Sequence, residues 1–202
     1  MLKSGRPRGF TLVEMLVSIA VLALLLALGA PSFATWSQNR QIRSMSDSIL
    51  NGMQLARAEA VRRNSAVSFQ LMTTLDSSCA LSTSGRNWVI SMDSAAGSCN
   101  STNMADDASP SAPRMIQSRP SSEGSSNAAV AADVSSLTFN GLGRVTTALP
   151  SGQTVFNVAV SNPTGGSCKT SSGPMRCLRI VVTPMGQVRM CDPSTSGTTE
   201  SC

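Results

Sequence analysis

The sequence Gly9-Phe10-Thr11-Leu12-Val13-Glu14 opens an apolar run that ends at about Ala30. Nearly every residue from Leu12 to Ala30 is aliphatic, and Glu14 carries the only charge of this run. A helix needs roughly 20 apolar residues to cross a bilayer, so the run predicts a transmembrane helix over residues 10–31. A carboxylate at the membrane centre costs about 2.5–3.5 kcal/mol, so we expect Glu14 to have a cationic partner.

A short basic leader precedes this run. It contains Lys3, Arg6 and Arg8 and ends at Gly9. A secretory signal would have a shorter apolar region followed by a small-x-small cleavage site. The arrangement instead resembles the class III signal of type IV prepilins, which a prepilin peptidase cuts after the glycine. The resemblance implies a leader of residues 1–9, cleavage between Gly9 and Phe10, and N-methylation of Phe10.

The same resemblance implies an assembly role for Glu14. In prepilins the glutamate at this position is held to meet the freed amine of a neighbouring subunit, and cleavage creates the cation that a buried carboxylate lacks. Pro31 matches the place where helices of the family commonly kink or loosen. Glu14 and Pro31 are therefore predicted assembly residues. The alternative is an ordinary signal anchor in which Glu14 has no role.

The charge balance agrees with export of the remaining chain. The 202 residues include 16 Lys and Arg and 11 Asp and Glu, for a net charge of +5. Loss of the leader would remove three basic residues and leave a charge of about +2. Basic flanks stay in the cytoplasm. We therefore predict a single-pass inner-membrane protein with a periplasmic domain over residues 65–202.

Six cysteines follow the apolar run, and their even number predicts disulfides in an exported domain. Fifteen pairings are open to them on sequence alone. We favour local pairing, in which each bridge closes a loop rich in Ser and Gly. The predicted bridges are Cys79–Cys99, Cys168–Cys177 and Cys191–Cys202. A zinc site is disfavoured because the chain has no histidine and no C-x₂-C pair.

The helical pattern continues past Pro31 and becomes amphipathic. The apolar residues that recur at three- and four-residue steps are Ile42, Met45, Ile49, Met53, Ala56 and Ala60. We predict one helix over residues 10–64, whose amphipathic half, residues 32–64, packs on a sheet. Gly52 weakens a helix but allows close packing against a strand. Glu59, Arg62 and Arg63 are interpreted as a solvated face.

Strands are predicted where apolar residues alternate or β-branched residues cluster. The predicted strands are Val67–Leu71, Asn87–Ile90, Met115–Gln117, Leu137–Phe139, Arg144–Thr146, Thr154–Val160, Cys177–Thr183 and Gln187–Met190. Val67–Leu71 has the alternation of a half-buried strand. Asn140-Gly141 and Pro184-Met185-Gly186 predict hairpin turns. Residues 91–136, rich in Ser, Ala, Asn and Pro, predict a long irregular excursion.

Together these patterns predict an α+β fold of the type IV pilin kind, with a long N-terminal helix packed on antiparallel sheet. The run from Leu178 to Pro193, the segment Phe139–Thr146 and Ala56–Ala60 are similar to the FimT, FimU and GspH family of minor pilins and pseudopilins. That resemblance implies a low-abundance subunit that initiates or caps a type IV pilus. Its implied partners are other minor pilins, the major pilin, the prepilin peptidase and, before assembly, the inner membrane. The subunit would end at the extracellular pilus tip.

Two alternative functions stay open. FimT-like members are implicated in DNA binding through a Gly-Arg-x-Arg motif, which here is Gly186-Gln187-Val188-Arg189, so half of the charge pair is missing. Cations that neutralise phosphates would bind DNA with a steep salt dependence. The candidate DNA contacts are Arg144, Lys169, Arg176, Arg179 and Arg189. The second alternative is the function of a GspH-like pseudopilin in type II secretion.

An enzyme is the least expected class. The sequence offers no histidine for general-base work, no nucleophile-elbow pattern and no glycine-rich phosphate loop. We predict no catalytic residues, no metal and no cofactor. The pair Asp106-Asp107 lacks EF-hand spacing, so it is interpreted as loop solubility rather than a calcium site.

Overall fold

The computed structural model describes residues 9–107, 111–123 and 125–202, without the side chains of residues 28–32. Two compact units are present, Met1–Ser37 and Gln38–Cys202. The elements are α1 (Leu12–Arg63), β1 (Val67–Met72), β2 (Asn87–Ser91), β3 (Met115–Arg119), β4 (Ala129–Ala132), β5 (Ser136–Phe139), β6 (Phe156–Ser161), β7 (Leu178–Val182) and β8 (Val188–Cys191). This order confirms the predicted α+β fold, a long N-terminal helix followed by antiparallel strands.

The strands form two four-stranded antiparallel sheets. Their orders are β3-β2-β1-β5 and β4-β6-β7-β8. β7 and β8 form the hairpin that Pro184-Met185-Gly186 predicts, with Val182 opposite Val188. Gly186 takes a φ of +80°, a conformation that side-chain-bearing residues rarely adopt. β5 and β8 are edge strands, each bonded to one neighbour within its sheet.

One face of α1 packs on both sheets and supplies the centre of the core. All six residues of the predicted apolar stripe are at most 3% exposed. They cluster with Phe69 and Trp88 of the first sheet and with Val158 and Ile180 of the second. The helical periodicity of the sequence is thus confirmed, because each turn of α1 places one stripe residue against the sheets.

Gly52 lets α1 approach the first sheet closely. A Cβ at this position would lie 2.7 Å from Phe69 Cε2 and 3.2 Å from the Trp88 ring. Both rings are buried and pack on each other, with centroids 5.6 Å apart. Neither ring is free to move away, so the close packing offsets the roughly 1 kcal/mol that glycine costs inside a helix.

The segment 91–136 is more ordered than the predicted irregular excursion, because it contains β3 and β4. Its first part packs over the face of the first sheet that points away from α1. A second apolar cluster forms there, with Met72, Val89, Ala95 and Met115 around the Cys79–Cys99 bridge. β1 is therefore buried on both faces, and its prediction as a half-buried strand is wrong.

Gln70 shows how the excursion is fixed to the sheet. Its amide is 1% exposed and donates to Ser91 Oγ at 2.8 Å and to the Asp93 carbonyl at 2.9 Å. Its side-chain oxygen accepts from the Ala95 amide at 3.1 Å. These hydrogen bonds satisfy a buried polar side chain and hold the chain where it leaves β2.

Asp93 and Arg114 close the base of the same excursion. Asp93 accepts two guanidinium hydrogen bonds from Arg114, each 2.8 Å long, and one from the Arg114 amide at 3.0 Å. The guanidinium lowers the pKa of Asp93 to about 2, against the opposing effect of burial. The bidentate geometry makes this pair stronger than a typical surface ion pair.

The hairpin predicted after β5 forms, with a turn longer than Asn140-Gly141. The turn spans Asn140 to Gly143, and Gly143 has the positive φ. β5 pairs with β1, and the predicted strand Arg144–Thr146 contributes a single bridge from Val145 to Phe139. The predicted hairpin nevertheless forms along the edge of β5 that faces away from β1, because the Asn140 amide donates to the Arg144 carbonyl and the Thr146 amide to the Thr138 carbonyl, each at 2.9 Å.

The interpretation of Glu59, Arg62 and Arg63 as a solvated face is wrong for Glu59 and Arg63, which are mostly buried, whereas Arg62 is exposed as expected. Arg63 is 12% exposed and bonds Glu59 at 2.8 Å and Asp106 at 2.8 Å. Arg62 bonds the same Glu59 carboxylate at 2.7 Å, and this lowers the Glu59 pKa. Asp106 thus ties the excursion to the end of α1, and the Arg63 guanidinium lowers its pKa.

Substitution of Gly52 by alanine tests the close approach of α1. We expect Gly52→Ala to destabilise the fold by about 1–2 kcal/mol, because overpacking against Phe69 and Trp88 exceeds the gain in helix propensity. The matched control is Asn51→Ala, which lies on the exposed side of the same turn and should stabilise slightly. Urea denaturation measures both. A Gly52→Ala protein more stable than Asn51→Ala would contradict the close packing.

Acid titration tests the Asp93–Arg114 pair. Because the Asp93 pKa is lower in the folded than in the unfolded state, the pair stabilises the fold above pH 4 and this contribution is lost as the pH falls towards 2. We expect Arg114→Gln to cost about 1–2 kcal/mol at pH 7, after allowance for partial exposure, and little at pH 2. Thermal unfolding from pH 7 to 2 measures the difference. A difference that does not change with pH would contradict it.

Candidate assembly and nucleic-acid surfaces

The start of α1 is capped by its own sequence. Thr11 Oγ1 accepts the Glu14 backbone amide at 3.2 Å, and the Thr11 carbonyl accepts the Met15 amide. Thr11 and Glu14 stand three residues apart, as in a capping box. The sequence analysis missed this cap, although the Thr-x-x-Glu spacing signals it. Phe10 and Gly9 precede the cap, so the predicted cleavage position lies just outside the helix.

The Glu14 side chain is exposed, and no cation of the described residues lies within ion-pair distance of it. An ion-pair partner would have to come from outside the described part of the chain. This is consistent with the role implied by the resemblance, in which the amine of another subunit pairs with Glu14.

The first unit exposes an apolar surface on all sides of α1. Its large apolar side chains are between 52% and 78% exposed from Phe10 to Leu26. A helix that is apolar all round is normally covered by lipid or by other helices. Among the described residues, however, no helix is both long and apolar enough to cross a bilayer. The predicted span of residues 10–31 extends into residues 28–32, whose side chains lie outside the described part.

The side chain of Pro31 also lies outside the described part of the chain. Its backbone is helical, within α1. The leader residues 1–8 lie outside the described residues as well. The roles predicted for Pro31 and the leader therefore remain predictions.

The five candidate DNA contacts do not form one patch. Arg176 bonds Asp192 and Glu200, which neutralise its charge, and it precedes β7. Burial alone would raise the Asp192 pKa, but hydrogen bonds from Ser194 and Arg176 lower it overall. Arg176 therefore fixes the carboxyl-terminal tail and is not available to a phosphate.

Arg179 and Arg189 share the outer face of the β7–β8 hairpin. Arg179 is opposite Cys191 and Arg189 is opposite Val181, so the two arginines are diagonal neighbours about 7–8 Å apart. Arg189 donates to the Ser201 carbonyl at 3.4 Å. Neither has an ion-pair partner within the described part of the chain.

Lys169 and Arg144 lie on separate loops. Lys169 begins a short 3₁₀ helix, Lys169–Ser171, next to the Cys168–Cys177 bridge. Arg144 ends the turn that follows β5, and its neighbour Val145 donates to the Pro184 carbonyl at 3.0 Å. Arg144 is thus near the β7–β8 turn, whereas no hydrogen bond or ion pair among the described residues joins Lys169 to the other candidates.

Arg57 is a positioning residue that the sequence analysis missed. Its Nε donates to the Gly143 carbonyl at 3.1 Å. Gly186 packs against that same carbonyl so closely that a Cβ would overlap it. Arg57 therefore holds two turns, one after β5 and one between β7 and β8, against α1. The signal in the sequence was the pair of turn glycines, but their partner 86 residues away could not be inferred.

The cysteines form the local bridges that we favoured. Cys79 pairs with Cys99, Cys168 with Cys177 and Cys191 with Cys202. The paired cysteines are 20, 9 and 11 positions apart in the sequence. The last bridge holds the carboxyl terminus beside β8.

Comparison with known families gives the identity of the chain. Residues 46–196, well over half of the chain, match the family described as Type II transport protein GspH. The chain belongs to the GspH family. Residues 5–30 match the prokaryotic N-terminal methylation motif, so this GspH-family member has the prepilin type of N-terminus. These matches confirm the predicted family of minor pilins and pseudopilins and its non-enzymatic class.

Two crystal structures of the type IV minor pilin FimU from Pseudomonas aeruginosa strain PAO1 are similar to this GspH-family chain. In one crystal form the identity is 16%, with 78% of this chain and 98% of FimU covered and a TM-score of 0.47. In the other the identity is 17%, the coverage 82% and 98%, and the TM-score 0.49. A search of curated proteins found no significant match.

Proposed function

We propose that this GspH-family chain is a minor pilin that helps to initiate or cap a type IV pilus. The observation that carries the proposal is the contrast between its two units. Residues 38–202 enclose their own core, whereas the segment from Phe10 to Leu26 exposes apolar side chains throughout. A subunit of this kind gains its missing contacts by packing α1 among the helices of other subunits, here other minor pilins and the major pilin.

The proposed life cycle begins in the inner membrane. The leader, residues 1–9, stays cytoplasmic, residues 10–31 cross the bilayer, and residues 32–202 face the periplasm. Prepilin peptidase cuts after Gly9 and the amine of Phe10 is methylated. The subunit then moves into the filament and ends at its tip. The match of residues 5–30 to the methylation motif supports this processing.

A pseudopilin of type II secretion is the alternative filament subunit, and the match to the family described as Type II transport protein GspH favours it. Both systems require the same processing and the same exposed helix. They differ in the phenotype of a deletion, since loss of a minor pilin removes pili and loss of a pseudopilin stops protein secretion. A deletion strain scored for both readouts distinguishes them.

Substitution of Glu14 tests the assembly role. Removal of one partner from a buried ion pair costs about 3–5 kcal/mol, so we expect Glu14→Leu to reduce incorporation into filaments roughly a hundredfold or more. The variant should still be cleaved, because Gly9 and Phe10 are unchanged. Immunoblots of sheared filaments and of membranes measure incorporation and processing.

The matched control is Ser18→Ala, one turn further along α1, which leaves the charge unchanged. Mass spectrometry of the wild-type amino terminus should find N-methylated Phe10. Accumulation of the full-length chain beside an active prepilin peptidase would contradict the proposal. So would normal incorporation of Glu14→Leu.

We also propose a second candidate function, weak DNA binding through the β7–β8 hairpin. Arg179 and Arg189 support it, because they share one face and lack carboxylate partners within the described residues. Arg144 lies near the adjoining turn and could extend the patch. Arg176 is excluded, since Asp192 and Glu200 already neutralise it. Each cation that neutralises a phosphate adds about 0.9 to the salt slope of the affinity.

A gel shift of the full chain in detergent on duplex DNA tests this candidate. We expect Arg189→Ala to weaken binding several-fold at low salt and to reduce the slope of log affinity against log salt by about 0.9. Arg86→Ala is the matched control, because Arg86 is also exposed and has no carboxylate partner within the described residues, and it precedes a strand of the other sheet. Equal effects of the two substitutions would show that the binding is not localised to the hairpin.

A further inference from the structure

An open groove runs between α1 and the edge strand β8. Its volume is about 580 Å³, and it lies near the carboxyl end of α1. Its lining residues are Gln54, Arg57, Ala58, Val61, Arg62, Gln187 and Val188. The groove belongs to residues 38–202 and has no part in the assembly role of Glu14, so the inference holds whichever filament the chain enters.

The backbone of β8 faces this groove with unpaired groups. The Thr183 amide bonds the Gln187 carbonyl at 3.0 Å, which makes 183–187 a hydrogen-bonded pair of the ladder. Such pairs alternate along an antiparallel ladder, and the next one joins Val181 to Arg189. The intervening Val188 therefore points its N–H and C=O away from β7. No described residue accepts or donates a backbone hydrogen bond there.

The protein already uses the far end of this edge to bind an added segment. The Asp192 amide donates to the Glu200 carbonyl at 2.6 Å, and Asp192 forms a parallel bridge with Ser201. Asp192 follows Val188 by four residues, so its amide points to the same side of the strand. The Cys191–Cys202 bridge fixes the tail at this end and leaves the end at Val188 open.

Apolar side chains surround the open end. Leu142 is 78% exposed, Met185 60% and Val61 51%. They lie together because Gly143 contacts both Arg57 and Val61, and Gly186 packs on the Gly143 carbonyl. Two exposed apolar residues on interlocked turns and a third on the adjoining helix are typical of an interaction surface.

The charges at the groove indicate the chemistry of its binding partner. Arg57 and Arg62 line it and no carboxylate does. Arg62 is already paired with Glu59, whereas Arg57 has no carboxylate partner within the described residues. Arg144 and Arg189 are exposed on the two segments that border it. An edge strand gives affinity through main-chain hydrogen bonds and takes its specificity from the side-chain surroundings. These surroundings favour a segment that alternates apolar and acidic residues.

We propose that the groove between α1 and β8 docks an extended acidic segment of another protein, which adds to the sheet as a strand at Val188. Its apolar side chains would cover Val61, Leu142 and Met185, and its carboxylates would face Arg57 and Arg144. The site is distinct from the outer face of the hairpin that carries Arg179, because strand addition uses the edge of the sheet.

The probe is a fluorescent peptide, acetyl-Asp-Val-Asp-Val-Asp-Val-Asp-amide, titrated with the detergent-solubilised full chain and followed by anisotropy. We expect it to bind at least ten times more tightly than the same peptide with lysine in place of aspartate. N-methylation of its valine amides should abolish binding, because the peptide could then no longer complete the ladder. This comparison uses the unmodified protein and does not depend on the folding of a variant.

Val188→Pro removes the outward N–H at an edge position that tolerates proline, and Val188→Thr keeps it. We expect at least a tenfold loss of affinity for Val188→Pro and less than a twofold change for Val188→Thr, with both thermal melts cooperative. The proposal is overturned if no peptide binds, if the N-methylated or lysine peptide binds equally well, or if Val188→Pro has no effect. It is also overturned if the edge is filled by a second copy, seen as self-association that Val188→Pro abolishes.

Discussion

The buried stripe of α1 is the contact on which the rest of the head depends. It touches both sheets, so neither sheet has a closed core without it. Nearer its amino terminus, as far as Leu26, the same helix has large apolar side chains that are exposed on all sides. A single helix of 52 residues therefore serves two environments. The change occurs near Ser37, where the first compact unit ends. The amphipathic half of the helix packs in the head and contributes to folding, and the uniformly apolar half is left for assembly.

Close approaches position the loops around this stripe. Gly52 lets α1 contact the Phe69 and Trp88 rings, and Gly186 lets one turn pack on the carbonyl of another. Arg57 then bonds that carbonyl from the helix. These contacts fix the two turns that pack beside the carboxyl end of α1, so the exposed residues on them, Leu142 and Met185, are held in place. Loops held in this way can present a binding surface at little entropic cost.

The sequence was most informative where local physics determines structure. Periodicity identified the stripe on α1, and β-branched runs with turn residues identified β6, β7 and β8. The sequence was least informative where the structure of a segment depends on another segment that is distant in the chain. β4 has the composition Ala-Val-Ala-Ala and low strand propensity, and it is a strand because β6 offers it a complete ladder. The alternation of Val67–Leu71 places Gln70 on the face expected to be exposed, because nothing in the adjacent sequence shows that residues 91–136 cover that face.

The same limit applied to the candidate sites. Gly9, Phe10 and Glu14 form a contiguous motif, so the sequence was sufficient to propose their roles. The arginines were harder to assign, because a cation is free or occupied according to carboxylates elsewhere in the chain. Arg176 is occupied by residues 16 and 24 positions away. Arg189, only 13 positions further on, has no carboxylate partner among the described residues.

Arginine side chains, rather than packed aromatic rings, connect many of the segments of this head. Aromatic residues make up 3% of the sequence, and there is no tyrosine. Arg57, Arg63, Arg114 and Arg176 each join elements or loops that are distant in sequence. Bidentate guanidinium contacts can fix loops that bury too little apolar surface to fix themselves. Three local disulfides act in the same direction. The net charge of the chain is therefore a poor guide to its ligands, because much of its basic charge is used to hold the head together.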